Sequence, residues 1–258
     1  MNKHEHVYEA KTRITYYDLD LRGSLKLSAF LRMVHIAADA NAHDLGIGFE
    51  RLSPMGISFV LQRFGLGIKR TPAYNEAVTL RTWPDGVSRG TFLRKGDMYD
   101  ERGEKIMEWA SLWILFDVNA RKILKPSVLP VTMPDFVDLG VKVSPNKIEL
   151  PPDFGTPFSS YTHTARYAEV DTNIHMNNSI YGDLIGNALF PGSAHQNESP
   201  HEPGLLTPDE WSEVQINYLT ETRMGEDVQV SARYADGTYL ISGAAEKRTT
   251  FNAMVKLK

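Results

Sequence analysis

A chain of 258 residues and 29.0 kDa is long for one small domain and suits two modest ones. With 42% hydrophobic and 23% charged residues it has a globular balance, which excludes a mostly disordered chain, and a net charge of −4 is too mild for a nucleic-acid binder. The absence of cysteine removes disulfides, thiolate zinc sites and a sulfur nucleophile together, no apolar stretch nears the ~18 residues that span a bilayer, and the polar start MNKHEHVYEA lacks the apolar core of a secretory signal; the expectation is a cytoplasmic enzyme or binding protein with no membrane span.

In chain order, Val7 to Tyr17 reads as a strand and Asp18 to Ser24 as a turn. Leu27, Leu31, Val34, Ala38 and Ala42 recur at helical spacing, so a helix is expected over Leu27 to Leu45, ended by Gly46. Strands follow at 56–69, 76–83, 91–99 and 105–116, the last two joined through Asp100-Glu101-Arg102-Gly103. Seven of the 14 prolines then fall between 126 and 157; proline cannot donate to a ladder, so this stretch reads as an extended connector. Beyond it the order repeats. A strand is expected at 161–169, a turn at 171–178 and a short helix at 179–190 stopped by Pro191. A loop rich in Pro, Gly, His and Ser covers 191–208, and strands follow at 211–219, 226–234, 239–245 and 249–257 with a hairpin at Asp236-Gly237.

Two local matches support a duplication. Arg13-x4-Asp18 aligns with Arg166-x4-Asp171 at an offset of 153, and Tyr74 to Val78 with Met224 to Val228 at an offset of 150. Each half is one strand, one helix and a run of antiparallel strands, and a lone helix with one apolar stripe is best buried by a sheet curling around it. The expected class is therefore α+β, a double hotdog, with domains at 1–125 and 158–258 and a linker at 126–157. Charge is split between the halves: residues 1–130 hold 19 Lys+Arg against 15 Asp+Glu, and residues 131–258 hold 9 against 17. Such asymmetry marks either a face that meets an acidic partner or an uneven solvated surface.

The residues with chemistry gather in the second half. Asp171, Asn173 and His175 sit at i, i+2 and i+4, which in an extended chain places a carboxylate, an amide and an imidazole on one face. A helix start follows at once, and backbone N–H groups around Asn177, Asn178 and Ser179 would suit a developing oxyanion. At an offset of 153 the first half offers Asp18, Asp20 and Arg22 instead, without amide or imidazole. A further candidate is Glu221, at the end of a strand. No Gly-x-Ser-x-Gly elbow, phosphate-cradling glycine loop or His-Glu-x-x-His is present, and no metal or cofactor is implied.

The segment Asp171-Thr172-Asn173-Ile174-His175-Met176-Asn177-Asn178, with Tyr181 after it, resembles the active-site motif of the acyl-acyl-carrier-protein thioesterases, the plant enzymes that end fatty-acid synthesis and their bacterial relatives. Arg70 to Tyr74, Glu76 to Trp83, and Ala110 to Leu115 followed by Asp117 and Arg121 continue the likeness through most of the chain. The resemblance implies a double hotdog and makes Asp171, Asn173, His175 and Glu221 active-site residues. Many plant members have cysteine at the next position, where this chain has Thr222, so the reaction here must proceed without sulfur. It also implies an acyl-carrier-protein substrate. Val34, Ala37 and Ala38 on the first helix are then candidates to wall the acyl chain, and Lys69, Arg70, Arg89, Arg94, Lys95, Arg121 and Lys122 to meet the acidic carrier. An acyl-CoA thioesterase, a non-catalytic acyl-thioester-binding protein and a homodimer all stay open. The enoyl-thioester hydratase pattern fits less well, because Ile174 stands where those enzymes have proline and His175 lies four residues past Asp171 rather than five.

Overall fold

The structure is a computed structural model that describes residues 6–135, 138–151, 157–190 and 208–258. The segment read as a loop at 191–208 lies, but for Pro208, outside the described residues. The chain forms two compact units: residues up to Ile14 with Arg32–Asn146, and Thr15–Leu31 with Lys147–Lys258.

In the first unit, strands β1 (Tyr8–Arg13), β2 (Ile57–Ile68), β3 (Ala77–Ser88), β4 (Thr91–Tyr99) and β5 (Lys105–Asp117) form an antiparallel sheet ordered β1-β3-β4-β5-β2. Two short elements escaped the sequence reading: a one-turn helix α2 (Phe49–Leu52) and strand β6 (Lys122–Leu124), which pairs with the end of β5. Helix α1 runs Leu27–Asp44, and the boundary between the units falls inside it. Its residues Val34, Ala37, Ala38 and Asn41 are all buried.

The second unit repeats this plan. Strands β7 (Ser159–Thr164), β8 (Trp211–Tyr218), β9 (Asp227–Ala235), β10 (Thr238–Ala245) and β11 (Arg248–Leu257) are ordered β7-β9-β10-β11-β8, the same path strand for strand. Helix α3 (Ile180–Leu189) is held against β7 by the Tyr161 hydroxyl, which donates to Leu184 O at 2.8 Å. Along β10 burial alternates, with Tyr239, Ile241, Gly243 and Ala245 inward, as period-two side-chain placement requires. The β9–β10 hairpin closes through Asp236 (φ 49°) and Gly237 (φ 76°), the positive pair that suits strand twist. The start of α1 belongs to this unit too: Ser28 Oγ donates to Asp183 of α3, and the Ser28 backbone lies directly over Gly182.

Both repeats close their sheets with the same device. Gly96 on β4 faces Trp109 on β5, and Gly243 on β10 faces Phe251 on β11. In each case a fully buried ring lies over the glycine, where a Cβ would be 2.2 Å and 2.1 Å from ring carbons.

Main-chain bonding corrects the register of the duplication around the functional turn. Asp20 N–H bonds Ser24 O as Asp171 N–H bonds His175 O, and Gly23 N–H bonds Asp20 O as Ile174 N–H bonds Asp171 O. Lys26 N–H reaches Asp18 O as Asn177 N–H reaches Glu169 O. The offset here is 151, not the 153 that matching arginines suggested. Asp171, Asn173 and His175 thus stand where the first repeat has Asp20, Arg22 and Ser24. The offset of 150 at the later turn holds: Asn75 (φ 63°) and Gly225 (φ 83°) are its left-handed residues, and the next residues, Glu76 and Glu226, accept the N–H groups of Ala73 and Arg223.

Candidate active site

The segment 171–178 is a tight turn, as expected, so its residues at i, i+2 and i+4 do not share the one face that an extended chain would give them. The Asp171 carboxylate accepts Asn173 N–H at 2.8 Å, its own N–H donates to His175 O at 3.0 Å, and Ile174 turns left-handed at φ 67°. That conformation costs a β-branched residue about 1–3 kcal/mol and persists only where the surroundings impose it. The first repeat spends no such energy, because Gly23 (φ 84°) occupies the matching place.

The turn brings the Asp171 and His175 side chains together and leaves Asn173 apart at the tip. The His175 ring nitrogen Nδ1 lies 3.9 Å from Asp171 Oδ1, and the two side chains are about a quarter exposed, at 26% and 23%. Asn173 is exposed at the tip. Asp20 bonds Arg22 N–H at 2.9 Å in the first repeat as Asp171 bonds Asn173 N–H, so this carboxylate's turn-holding role belongs to the fold in both halves. The imidazole is peculiar to the second.

Glu221 meets this turn through the main chain. Met176 N–H donates to Thr222 O at 2.7 Å, which sets His175 and Glu221 one residue back from each end of a single hydrogen bond. Thr222 is completely buried, and its Oγ1 accepts the Tyr181 hydroxyl at 3.1 Å. The Tyr181 ring packs edge-on against Tyr218 and Phe251, and the Tyr218 hydroxyl reaches Asn178 O at 3.3 Å. Burial pushes both phenols above their ordinary pKa, so they stay protonated donors. Arg248 secures the far side of the segment by donating to Glu221 O and to the Glu226 carboxylate. Arg223 donates Nε and Nη2 to Glu221 Oε1, at 3.1 and 2.6 Å.

Sequence reasoning missed this supporting set of Tyr218, Arg223 and Arg248. Adjacency to Glu221 was a usable signal for Arg223. Tyr218 and Arg248 join the site only through the sheet.

The backbone donors offered for an oxyanion are mostly engaged. Asn177 N–H is bound to Glu169 O at 2.8 Å, as Lys26 N–H is bound in the first repeat, and Ser179 N–H is bound to the Asn177 side chain at 2.9 Å. Asn178 N–H has no partner among the described residues, so of the three it alone can still donate.

The carrier-facing cations also divide. Arg94 is buried and bonded to Asn41 and Thr82, which removes it from any contact surface. Lys95 lies against Asp85 at 2.9 Å with its side chain 14% exposed, and Arg70 is spent on Glu76 and Asp100. Lys69, Arg89, Arg121 and Lys122 are exposed. Of the acyl-wall candidates, Val34, Ala37 and Ala38 are all buried. Among the described residues no group of three His, Asp or Glu is placed to hold a metal, and no helix is long and apolar enough to cross a membrane.

Two hotdog repeats in one chain, with a histidine-bearing turn at the head of the second helix, make this a double hotdog. Over the whole of both chains it superposes on an acyl-ACP thioesterase of Bacteroides thetaiotaomicron with a TM-score of 0.80 at 19% identity. A 12:0-ACP thioesterase of Umbellularia californica is equally similar, at 0.81 and 16%, with 99% of this chain and 98% of that one covered. Residues 5–128, a little under half of the chain, match the acyl-ACP thioesterase N-terminal domain. No curated protein matches it in sequence.

Proposed function

We propose that this protein hydrolyses the thioester of fatty acyl-acyl-carrier-protein, releasing the free fatty acid and ending chain elongation. The observation that carries the reading is the Met176–Thr222 hydrogen bond, which ties the histidine turn to the Glu221 segment. A thioester has a stable thiolate as its leaving group, so the reaction needs a positioned water, a base and some polarisation of the carbonyl more than strong acid. His175 and Glu221 orient a water and take its proton as its oxygen attacks the carbonyl carbon. Asp171 keeps the turn and the imidazole in place, and Asn173 at the tip contacts the incoming acyl group. The Asn178 N–H stabilises the tetrahedral oxyanion, which collapses with loss of the thiolate; the proton held by the base then returns to sulfur. Thr222 stands where many plant members have cysteine, so attack by water is the route the residues support.

The experiment is hydrolysis of matched acyl-carrier-protein and acyl-CoA thioesters across chain lengths. The carrier ester should give the higher kcat/KM, and that constant should fall steeply with added salt as Lys69, Arg89, Arg121 and Lys122 are screened over a Debye length of ~10 Å at 0.1 M. Equal constants for the two esters, or a flat salt response, would exclude the carrier as the partner. The acyl chain is assigned to the buried stripe of α1, where Ala38, 8% exposed, is a small side chain to enlarge. Ala38→Leu should move the product profile toward shorter chains, read by chromatography of the released acids. An unchanged profile would place the chain elsewhere.

A further inference from the structure

Six non-glycine residues among those described take positive φ: Asn75, Arg89, Arg121, Ile174, Asp236 and Glu246. Five of them are polar or charged and unbranched at Cβ. Ile174, at φ 67°, is the exception, because a β-branched side chain in the left-handed region is crowded against its own backbone. A residue strained in this way is ordinarily locked by the core around it. No core encloses the Ile174 side chain, which is 77% exposed.

The first repeat shows what the turn itself requires. Asp20 N–H bonds Ser24 O, Gly23 N–H bonds Asp20 O and the Asp20 carboxylate accepts Arg22 N–H, which are the bonds of the second turn residue for residue. The residue in the place of Ile174 is Gly23, at φ 84°, which adopts that conformation with no Cβ to crowd. Glycine therefore satisfies this turn, and the fold gives no reason for an exposed, strained isoleucine. The difference between the turns is chemical: Ile174 lies between Asn173 and His175, and Gly23 between Arg22 and Ser24. Other large apolar side chains are exposed along the same network. Met224 stands two residues past Thr222 as Ile174 stands two before Met176, the two ends of the bond that ties the turn to the Glu221 segment, and Leu219 stands two residues before Glu221. Apolar side chains that face solvent thus flank both reacting residues along the chain.

We propose, on the acyl-thioester reading above, that Ile174 is a substrate-contact residue: it packs against the pantetheine arm of the incoming thioester, the part common to acyl carrier protein and coenzyme A, and lowers KM. A fatty chain needs burial on all sides, which an exposed turn tip does not give. The arm carries amides that can stay wet and a geminal dimethyl group that offers apolar surface, and it reaches the carbonyl from solvent. Ile174 is the apolar side chain next to His175 on that approach. Its branched Cβ and fixed dihedral present it with little rotamer freedom left to lose on binding.

Ile174→Gly tests this by moving stability and binding in opposite directions. Relief of the left-handed strain should raise the melting temperature by roughly 2–4 °C. KM for acyl thioesters should rise at least ~5-fold with kcat unchanged, the pattern of a lost contact that is as strong in the ground state as in the transition state. Ile174→Val keeps the branch and most of the apolar surface, so it should restore most of the lost affinity without the gain in stability. The KM factor should be the same for carrier and coenzyme A esters, and the same for butanoyl and dodecanoyl groups. A glycine variant that melts at or below wild type, an unchanged KM, or a fall in kcat alone overturns the contact. A factor confined to the carrier ester would put Ile174 against the carrier protein, and one that grows with acyl length would put it against the acyl chain; either result also overturns it. If wild type hydrolyses no thioester, calorimetry with pantetheine decides. Weaker binding to Ile174→Gly than to wild type then keeps the contact and drops the reaction, and equal or absent binding drops both.

Discussion

His175→Ala is expected to lower turnover of an acyl-carrier-protein thioester at least ~10²-fold, and Glu221→Gln by a similar factor, the lower range for loss of a positioned base. The argument is geometric. One main-chain bond of 2.7 Å fixes the backbone of the two residues together, and Tyr181, Tyr218 and Arg248 hold that bond in place. Neither substitution touches the core: the two side chains are 26% and 32% exposed, and Gln keeps the shape of Glu. Unfolding curves should therefore stay near wild type while kcat falls. Wild-type kcat in either variant would remove that residue from the reaction.

The largest expected effect on stability lies far from this chemistry. Gly243→Ala would set a Cβ 2.1 Å from Phe251 Cε1, and Gly96→Ala would set one 2.2 Å from the Trp109 ring and 2.5 Å from Arg81 O. Both rings are completely buried, so neither can swing out to make room. Overpacking of this kind costs about 3 kcal/mol, the upper part of its usual range. For a chain of this size that is a fall of roughly 6–12 °C in melting temperature. Gly186→Ala in α3 is the control, because nothing lies within 4 Å of its added Cβ and alanine is the better helix former. It should melt at or slightly above wild type. A Gly243→Ala protein as stable as the control would mean that the ring does not sit over the glycine.

Much of the architecture was legible because it is written in period and punctuation. The apolar spacing of α1, the alternation along β10 and the Asp-Gly hairpin each follow from one local rule, and the two repeats appear in the sequence in the order the sheets show. The register of the duplication was legible at the later turn, where the offset of 150 holds, but not at the functional one. Arg13 and Arg166 match by identity, whereas the true offset is set by main-chain bonds such as Asp171 N–H to His175 O, which leave no residue type behind. The turn at 171–178 was legible but its geometry was not: nothing in an isoleucine announces a left-handed φ, and the shared face of Asp171, Asn173 and His175 held only for an extended chain. Arg94 shows the limit of composition. It counted as surface charge, although its place between Phe92 and Gly96 on a strand of period two already put it on the inward row. Motif likeness located His175 and Glu221, but the groups that hold them come from β8 and β11, and only the fold brings those near.

The most direct test of the central claim is thiol release from a carrier-linked acyl thioester by wild type, by each single variant and by His175→Ala/Glu221→Gln together. If both groups act on one water, wild type should release thiol and free acid in equal amounts, and the double variant should be little slower than the worse single one, as residues that act as a unit are strongly non-additive. Absence of thiol release from every acyl ester, or losses that multiply in the double variant, would contradict it.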